Sequence, residues 1–342
     1  MNPKKPPSTL LDVAAAAGVS TATVSRCLNF PDQVAGLTRE RVMTAVTNLG
    51  YSPNFGARAM AARRTNTIGA IIPTMENAIF ARGLQAFQEE LRVHGFTMLV
   101  ASTSYRPEIE DEQIRSLVAR GADALLLIGH ERDPETYRFL EAQGVPAIIS
   151  WTYDANSPRP SVGFDNKAAI AEMATTIIEM GHRNIALISA ETSMNDRAYA
   201  RLLGVKEAML AAGLNPDNLQ VIETPYGIET GAVAFETMIK NTPCPTAVFC
   251  GNDVLAVGAL RRAHEMGMSV PKDVSIIGFD DIELAQITNP PLTTVHVPHR
   301  EMGRRAALSL ANLLKDGTPL ENIELPAKAV FRGTHAAAPK TK

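Results

Sequence analysis

The chain has 342 residues, 45% hydrophobic and 20% charged, the make-up of a globular protein with room for two or three domains and no apolar run of the roughly 18 residues that a membrane span needs. Cys27, Cys244 and Cys250 are odd in number and lack CxxC spacing, so they fit neither a disulfide framework nor a zinc site; they are expected as buried small hydrophobes in a reducing cytoplasm. The net charge of −3 hides an asymmetry: residues 1–64 carry eight basic and three acidic side chains, the remainder 25 and 33, so only the head suits a polyanion.

The opening MNPKKPPSTLLDVAAAAGV has two lysines and a mildly apolar stretch, like an export signal. Asp12 interrupts that stretch and it runs on into helical patterning, which argues against export. Thr9 and Asp12 are spaced to start a helix with Val13, Ala14 and Ala17 on one face, and Gly18 suits its end. Ser20 can cap a second helix with Val24 and Leu28 inward and Thr21, Ala22, Ser25 and Arg26 outward, Thr23 lying beside them. Thr38 is expected to cap a third, with Val42, Val46 and Leu49 as its buried stripe. Three short helices with a glycine turn between the first two describe a helix-turn-helix, whose second helix lies in the major groove. Arg26 can then fork onto guanine or phosphate, Thr21 and Ala22 touch thymine methyls, and Ser25 reaches phosphate.

In YSPNFGARAMAARR, residues 51–64, Pro53 biases Ser52 away from helix and Asn54 can cap a short helical run after it. So short a helix is marginal alone and should form only when docked. Ala57 permits close approach to a minor groove, Arg58 supplies charge and Met60 an apolar wedge. The expected organisation is a helix-turn-helix domain at 1–52, a hinge helix and linker at 53–64 and an effector-binding and dimerisation core at 65–338.

From Ile68 the pattern alternates strand and helix. Apolar runs at 68–72, 97–102, 124–128 and 147–150 alternate with amphipathic stretches at 78–94, 108–120 and 134–142. A second set comes after them, with strands at 184–189, 221–224, 247–251 and 275–279 and helices near 166–180, 196–212, 229–240 and 253–265. This predicts an α/β fold of parallel sheets flanked by helices, in two lobes facing a cleft and joined near 150–165 and 280–300. The lobes are expected at about 65–163 with 292–326, and 164–291 with 327–338. Ligands bind outside the carboxyl ends of such strands. Asn252 and Asp253 follow one strand, Asp280 and Asp281 another, while Arg197 and Arg201 share a helix face and Phe80 and Trp151 can serve as apolar walls. Asp253 can equally be a helix cap, and Trp151 core.

The chain has no GxGxxG after a strand, no GxxxxGK[ST], no GxSxG and no metal-spaced histidine pair. Carboxylates at a cleft suit acid–base chemistry, but they also hold hydroxyl-rich ligands, and binding needs fewer assumptions. No catalytic residue, metal or cofactor is therefore expected. A transport-type binding protein predicts an export signal and no basic head; an oxidoreductase predicts a glycine fingerprint.

TLLDVAAAAGVSTATVSRCLN, GYSPNFGARAM, TAVFCGNDVLAVGAL, VSIIGFDD and PPLTTVHVP together resemble the LacI/GalR family of bacterial transcription regulators, from about Thr9 to Phe331. The resemblance implies a helix-turn-helix head, a hinge helix and a core like the periplasmic sugar-binding proteins. It further implies a cytoplasmic homodimer on palindromic double-stranded operator DNA, regulated by a sugar or related metabolite. Thr21, Ala22 and Arg26 match the family's base-reading positions, and Phe80, Arg201, Asn252 and Asp280 its effector contacts. Met60 stands where a leucine wedge is usual, and Val297 replaces a polar residue. FPDQV, SYRPEIEDEQ and SVGFDN are similar to the gluconate-utilisation repressors, with Arg197, Arg82 and His130 as cations for a carboxylate. The full effector set expected is Phe80, His130, Trp151, Arg197, Arg201, Tyr226, Asn252 and Asp280, and the preferred effector a sugar acid such as gluconate. A phosphorylated metabolite or a partner protein is the alternative effector.

Overall fold

The computed structural model describes residues 8–52, 64–76 and 78–340. These fall in two compact units, residues 1–65 and 66–342. The expected hinge contacts Asn54, Ala57, Arg58 and Met60 lie outside the described residues.

In the first unit α1 spans Leu10–Ala17, α2 Thr21–Asn29 and α3 Gly36–Leu49, with a 3-10 turn at Pro31–Gln33. The N–H of Thr9 donates to Asp12 Oδ2 at 2.8 Å and that of Asp12 to Thr9 Oγ1 at 3.3 Å, a reciprocal cap. Gly18, at φ 63°, then turns the chain as only a residue free of a Cβ does without strain. Ser20 caps α2 through the N–H of Thr23 at 3.2 Å. The hydroxyl of Thr23, an expected DNA contact, lies 2.9 Å from that of Ser20 and so joins the cap. Val13, Val24, Cys27 and Val42 form the core, while Thr21, Ala22 and Arg26 are exposed and Ser25 half-buried.

Two expectations are corrected here. Helix α3 starts at Gly36 without a side-chain cap, so Thr38 lies inside its first turn. Its buried stripe is Val42 and Ala45; Val46 packs half-buried against the same core and Leu49 is exposed. Leu28 packs half-buried against the same core, beside the buried Cys27.

The second unit forms every expected strand to within two residues. Its first lobe holds β1 Thr67–Ile72, α4 Ala78–Val93, β2 Thr97–Ser102, α5 Pro107–Ala119, β3 Ala124–Ile128, α6 Pro134–Gln143, β4 Ala147–Ser150 and β5 Ser161–Gly163. Its second holds α7 Asn166–Glu179, β6 Ile185–Ser189, α8 Asp196–Ala211, β7 Gln220–Glu223, α9 Ile228–Ile239, β8 Ala247–Cys250, α10 Asp253–Glu265 and β9 Ser275–Ile277. After the short α11 Leu284–Ile287 and β10 Thr294–His296, the chain returns to the first lobe as α12 His299–Asp316 and β11 Ile323–Glu324, then ends beside β10 as β12 Lys328–Val330.

The first sheet has the order β11-β5-β4-β3-β1-β2 and the second β7-β6-β8-β9, parallel throughout; β10 and β12 add a small antiparallel ribbon. Strands β1, β3, β6 and β8 are buried along their whole length, as strands covered on both faces must be. In both sheets the order reverses beside the first strand, between β1 and β3 and between β6 and β8. The crevice beyond the carboxyl ends at that reversal is where such folds take ligand. Helix α12, absent from the expected elements, packs on α4 through two glycines. A Cβ on Gly303 would run into the Gly83 carbonyl, and one on Gly83 into the Trp151 ring. Cys27 and Cys250 are buried as expected, but Cys244 is exposed, in the turn that leads to β8.

Gly303→Ala should therefore destabilise the core by about 3 kcal/mol, the upper range for overpacking. Urea unfolding should show a lower midpoint at unchanged slope; a parental midpoint would mean that the two helices separate freely.

Candidate functional site

A pocket of about 360 Å³, part of it open to solvent, lies beyond the strand ends of both lobes. Each wall comes from the segment after a strand: Phe80 after β1, Tyr105 after β2, Trp151 after β4, Asn195, Arg197 and Arg201 after β6, Tyr226 after β7, Asn252 after β8 and Asp280 after β9. Asn252 is the N-cap of α10: its Oδ1 accepts from the N–H of Leu255 at 2.9 Å, which leaves its Nδ2 buried with no partner. Arg201 donates from Nη1 to Asn166 Oδ1 at 2.7 Å and from Nη2 to the Tyr226 hydroxyl at 2.9 Å, leaving Nε buried and unpaired. Asn166 in turn donates to the Trp151 carbonyl at 3.0 Å.

Asp280 is buried at φ 107°, a left-handed conformation that only a surrounding frame can hold. Burial raises its pKa well above the ordinary carboxylate value; Arg201 opposes the rise and Asp253 adds to it. Asp253 is not the cap. Its carboxylate accepts from Thr294 Oγ1 at 2.6 Å and from the N–H of Ile282 at 2.8 Å, bracing the loop that carries Asp280. Burial outweighs those bonds and pushes its pKa up to about 7.

His299, behind the wall, completes the frame. Its Nδ1 accepts from Trp151 Nε1 at 3.2 Å and its Nε2 faces the Asp280 carbonyl at 3.2 Å. An indole N–H can only donate and a carbonyl only accept, so the imidazole is neutral with its proton on Nε2. Burial holds its pKa down to about 3. His299 thus ties together two walls that both have positive φ, Trp151 at 63° and Asp280 at 107°. At the lobe junction Asp196 Oδ2 accepts from the N–H of His130 at 2.6 Å, and its Oδ1 pairs with Arg197 Nη1 at 2.8 Å.

The comparisons with known proteins bear on this architecture. Residues 9–54 match the bacterial regulatory proteins of the lacI family and residues 174–335 a periplasmic binding protein-like domain. The chain is 34% identical over 302 residues to the HTH-type transcriptional regulator GntR of Escherichia coli, covering 88% of this chain and 90% of that one. It is 32% identical over 338 residues to the HTH-type transcriptional repressor CytR of Escherichia coli, covering 97% of each. The chain belongs to the LacI family of bacterial transcriptional regulators.

This LacI-family chain also superposes on a lac repressor dimer bound to operator and the anti-inducer ONPF with a TM-score of 0.85, at 28% identity over 97% of this chain and 100% of that one. It is a DNA-binding transcriptional regulator with a sugar-binding type of core. No described helix is long and apolar enough to cross a membrane.

Of the expected effector residues, Phe80, Trp151, Arg197, Arg201, Tyr226, Asn252 and Asp280 meet in the pocket wall. His130 does not: its backbone contacts Asp196, its ring lies 3.4 Å from the Ser157 hydroxyl, and burial lowers its pKa, so it supplies no cation. Arg82 is exposed and not part of the wall. Trp151 is both wall and core, 3% exposed against Phe80 at a ring distance of 5.4 Å. Sequence reading missed Tyr105, Phe164, Asn166 and Asn195. Asn195 carried a signal, since an asparagine caps the helix after β6 through the N–H of Ala198. Tyr105 carried none, because its direction follows from a left-handed turn.

In the unfolded chain His299 titrates near 6.5, against about 3 when folded. The stability from its neutral form is complete above 6.5 and is lost as pH falls toward 3. His299→Gln keeps a donor and an acceptor without titrating. It should match the parent in urea at neutral pH and remove about 2 kcal/mol of the parent's stability loss at about pH 5. Equal losses in both proteins would mean that the imidazole charges within the fold.

Proposed function

We propose that this regulator acts as a cytoplasmic homodimer on palindromic operator DNA and represses genes of carbohydrate or sugar-acid metabolism. A single small polyhydroxylated effector, of which gluconate is the type, binds in the interlobe pocket and is held without being transformed. The observation that carries this reading is the set of polar groups left without protein partners there. The Asp280 carboxylate has no hydrogen-bond donor among the described residues, and Asn252 Nδ2 and Arg201 Nε are donors without acceptors. Buried polar groups are otherwise paired, and adjacent hydroxyls, each donor and acceptor, satisfy all three. The guanidinium groups of Arg197, which Asp196 also holds, and of Arg201 both line the pocket and can receive a carboxylate on the ligand.

On the DNA side the exposed Thr21, Ala22 and Arg26 are placed along one face of a capped helix. Half-sites about one helical turn apart would receive the two heads. Effector acts through its differential affinity for two lobe arrangements, the loop after β3 and the start of α8 being one place where the lobes touch.

A thermal-shift panel of D-gluconate, D-galactonate, D-ribose and gluconate 6-phosphate tests the effector class; a response to D-ribose alone rejects the acid. Asp280→Asn, which tolerates positive φ, should abolish the response to the panel hit while operator affinity stays parental; a full response would remove Asp280 from the site. Arg26→Ala should cost about 1–3 kcal/mol at the operator and relax discrimination at one base position. An unchanged base preference in a randomised-operator selection would deny it that role.

A further inference from the structure

The pocket is not the only cavity between the lobes. A second space of about 2010 Å³, open to solvent, lies outside it, with Thr74, Glu76, Arg106, Glu191, Met194 and Glu223 among its walls. Tyr105, Asn195 and Tyr226 line both cavities, so these three side chains are the partition. Asn195 is fixed as the cap of α8. The other two come from opposite lobes, Tyr105 from the loop after β2 and Tyr226 from the segment after β7, and their rings meet at 5.7 Å and 51°.

Both are held in place from behind. Ser104 and Tyr105 take consecutive left-handed conformations, at φ 53° and 59°, which turn the ring into the cleft. The Tyr226 hydroxyl accepts from Arg201 Nη2 at 2.9 Å. Burial pushes the pKa of the Tyr105 phenol far up, as fits a ring with little water around it.

We propose that the Tyr105–Tyr226 pair sets the upper size limit of the effector, closing the inner pocket around a single six-carbon polyol or sugar ring and shutting out a second joined ring. This rests on the reading of the pocket as the effector site. A disaccharide-sized ligand would have to pass a ring through the partition, and doing so would break a contact that bridges the lobes. With Tyr105 truncated, the two spaces merge and the outer cavity receives the extra ring.

The test uses the full-length protein, the variants Tyr105→Ala and Tyr105→Phe, and two probes: D-gluconate, and lactobionate, which is gluconate carrying a galactosyl ring. The parent should bind gluconate and ignore lactobionate in calorimetry, Tyr105→Phe should still ignore lactobionate, and Tyr105→Ala should gain lactobionate binding, whatever either change costs in gluconate affinity. Lactobionate binding by the parent, or its exclusion by a Tyr105→Ala protein that still takes gluconate, overturns the proposal. If gluconate binds neither protein, the effector reading is at fault, and a ligand-free measurement decides on the partition. Trp151 is the sole tryptophan and lines the inner pocket. Acrylamide quenching of its fluorescence should rise several-fold in Tyr105→Ala and stay parental in Tyr105→Phe; equal quenching in Tyr105→Ala and the parent overturns the partition itself.

Discussion

A carboxylate without a donor, placed where the chain passes between two lobes, is the constraint around which the core is arranged. A buried charge is costly unless it is paired; Asp280 has Arg201 nearby but no hydrogen bond from it, and burial raises its pKa accordingly. The fold holds the residue at φ 107° by both of its peptide groups: its N–H donates to the Val295 carbonyl at 2.9 Å and its carbonyl meets His299. Asp253 beneath it and the β10 segment beside it are spent on that support.

The support is shared between the lobes. Trp151 stands at the first crossing of the chain and Asp280 near the second, and one neutral imidazole touches both. Arg201 reaches from α8 through Asn166 to the Trp151 carbonyl, so the same wall is held from the second lobe as well. Hydrogen-bond chains of this kind have few alternative arrangements, which suits a device with two discrete states rather than a graded one. The ion pair of Arg197 with Asp196, whose other oxygen holds the His130 amide, puts a pocket cation one bond away from the lobe contact.

Most of the second unit could be read from the sequence because its strands are short apolar runs and its helices carry clear periodicity between them. Helix α12 escaped because half of its buried face is small, Gly303, Ala306, Ala307 and Ala311, and arginines and a glutamate crowd its first turns. The residues at strand ends were legible through a rule about parallel sheets, and Asn252 and Asp280, which it singled out, do line the pocket, as does Arg201, read from its helix spacing. The rule could not tell a wall from the layer behind it. His130 and Asp253 occupy equivalent sequence positions to true wall residues, and only backbone direction turns one side chain inward and another away. Positive φ at Trp151, Tyr105 and Asp280 has no sequence signature outside glycine and asparagine. In the head, capping chemistry gave α1 and α2, whereas α3 begins on backbone bonds alone.

The path of the chain carries an evolutionary consequence. Strand β11 closes the first sheet and β12 adjoins the second, after crossings near residues 150–165 and 280–300. Neither lobe is therefore encoded by a continuous stretch of gene. A single recombination between two such regulators cannot exchange one lobe intact; each lobe can be swapped only by several joined crossovers.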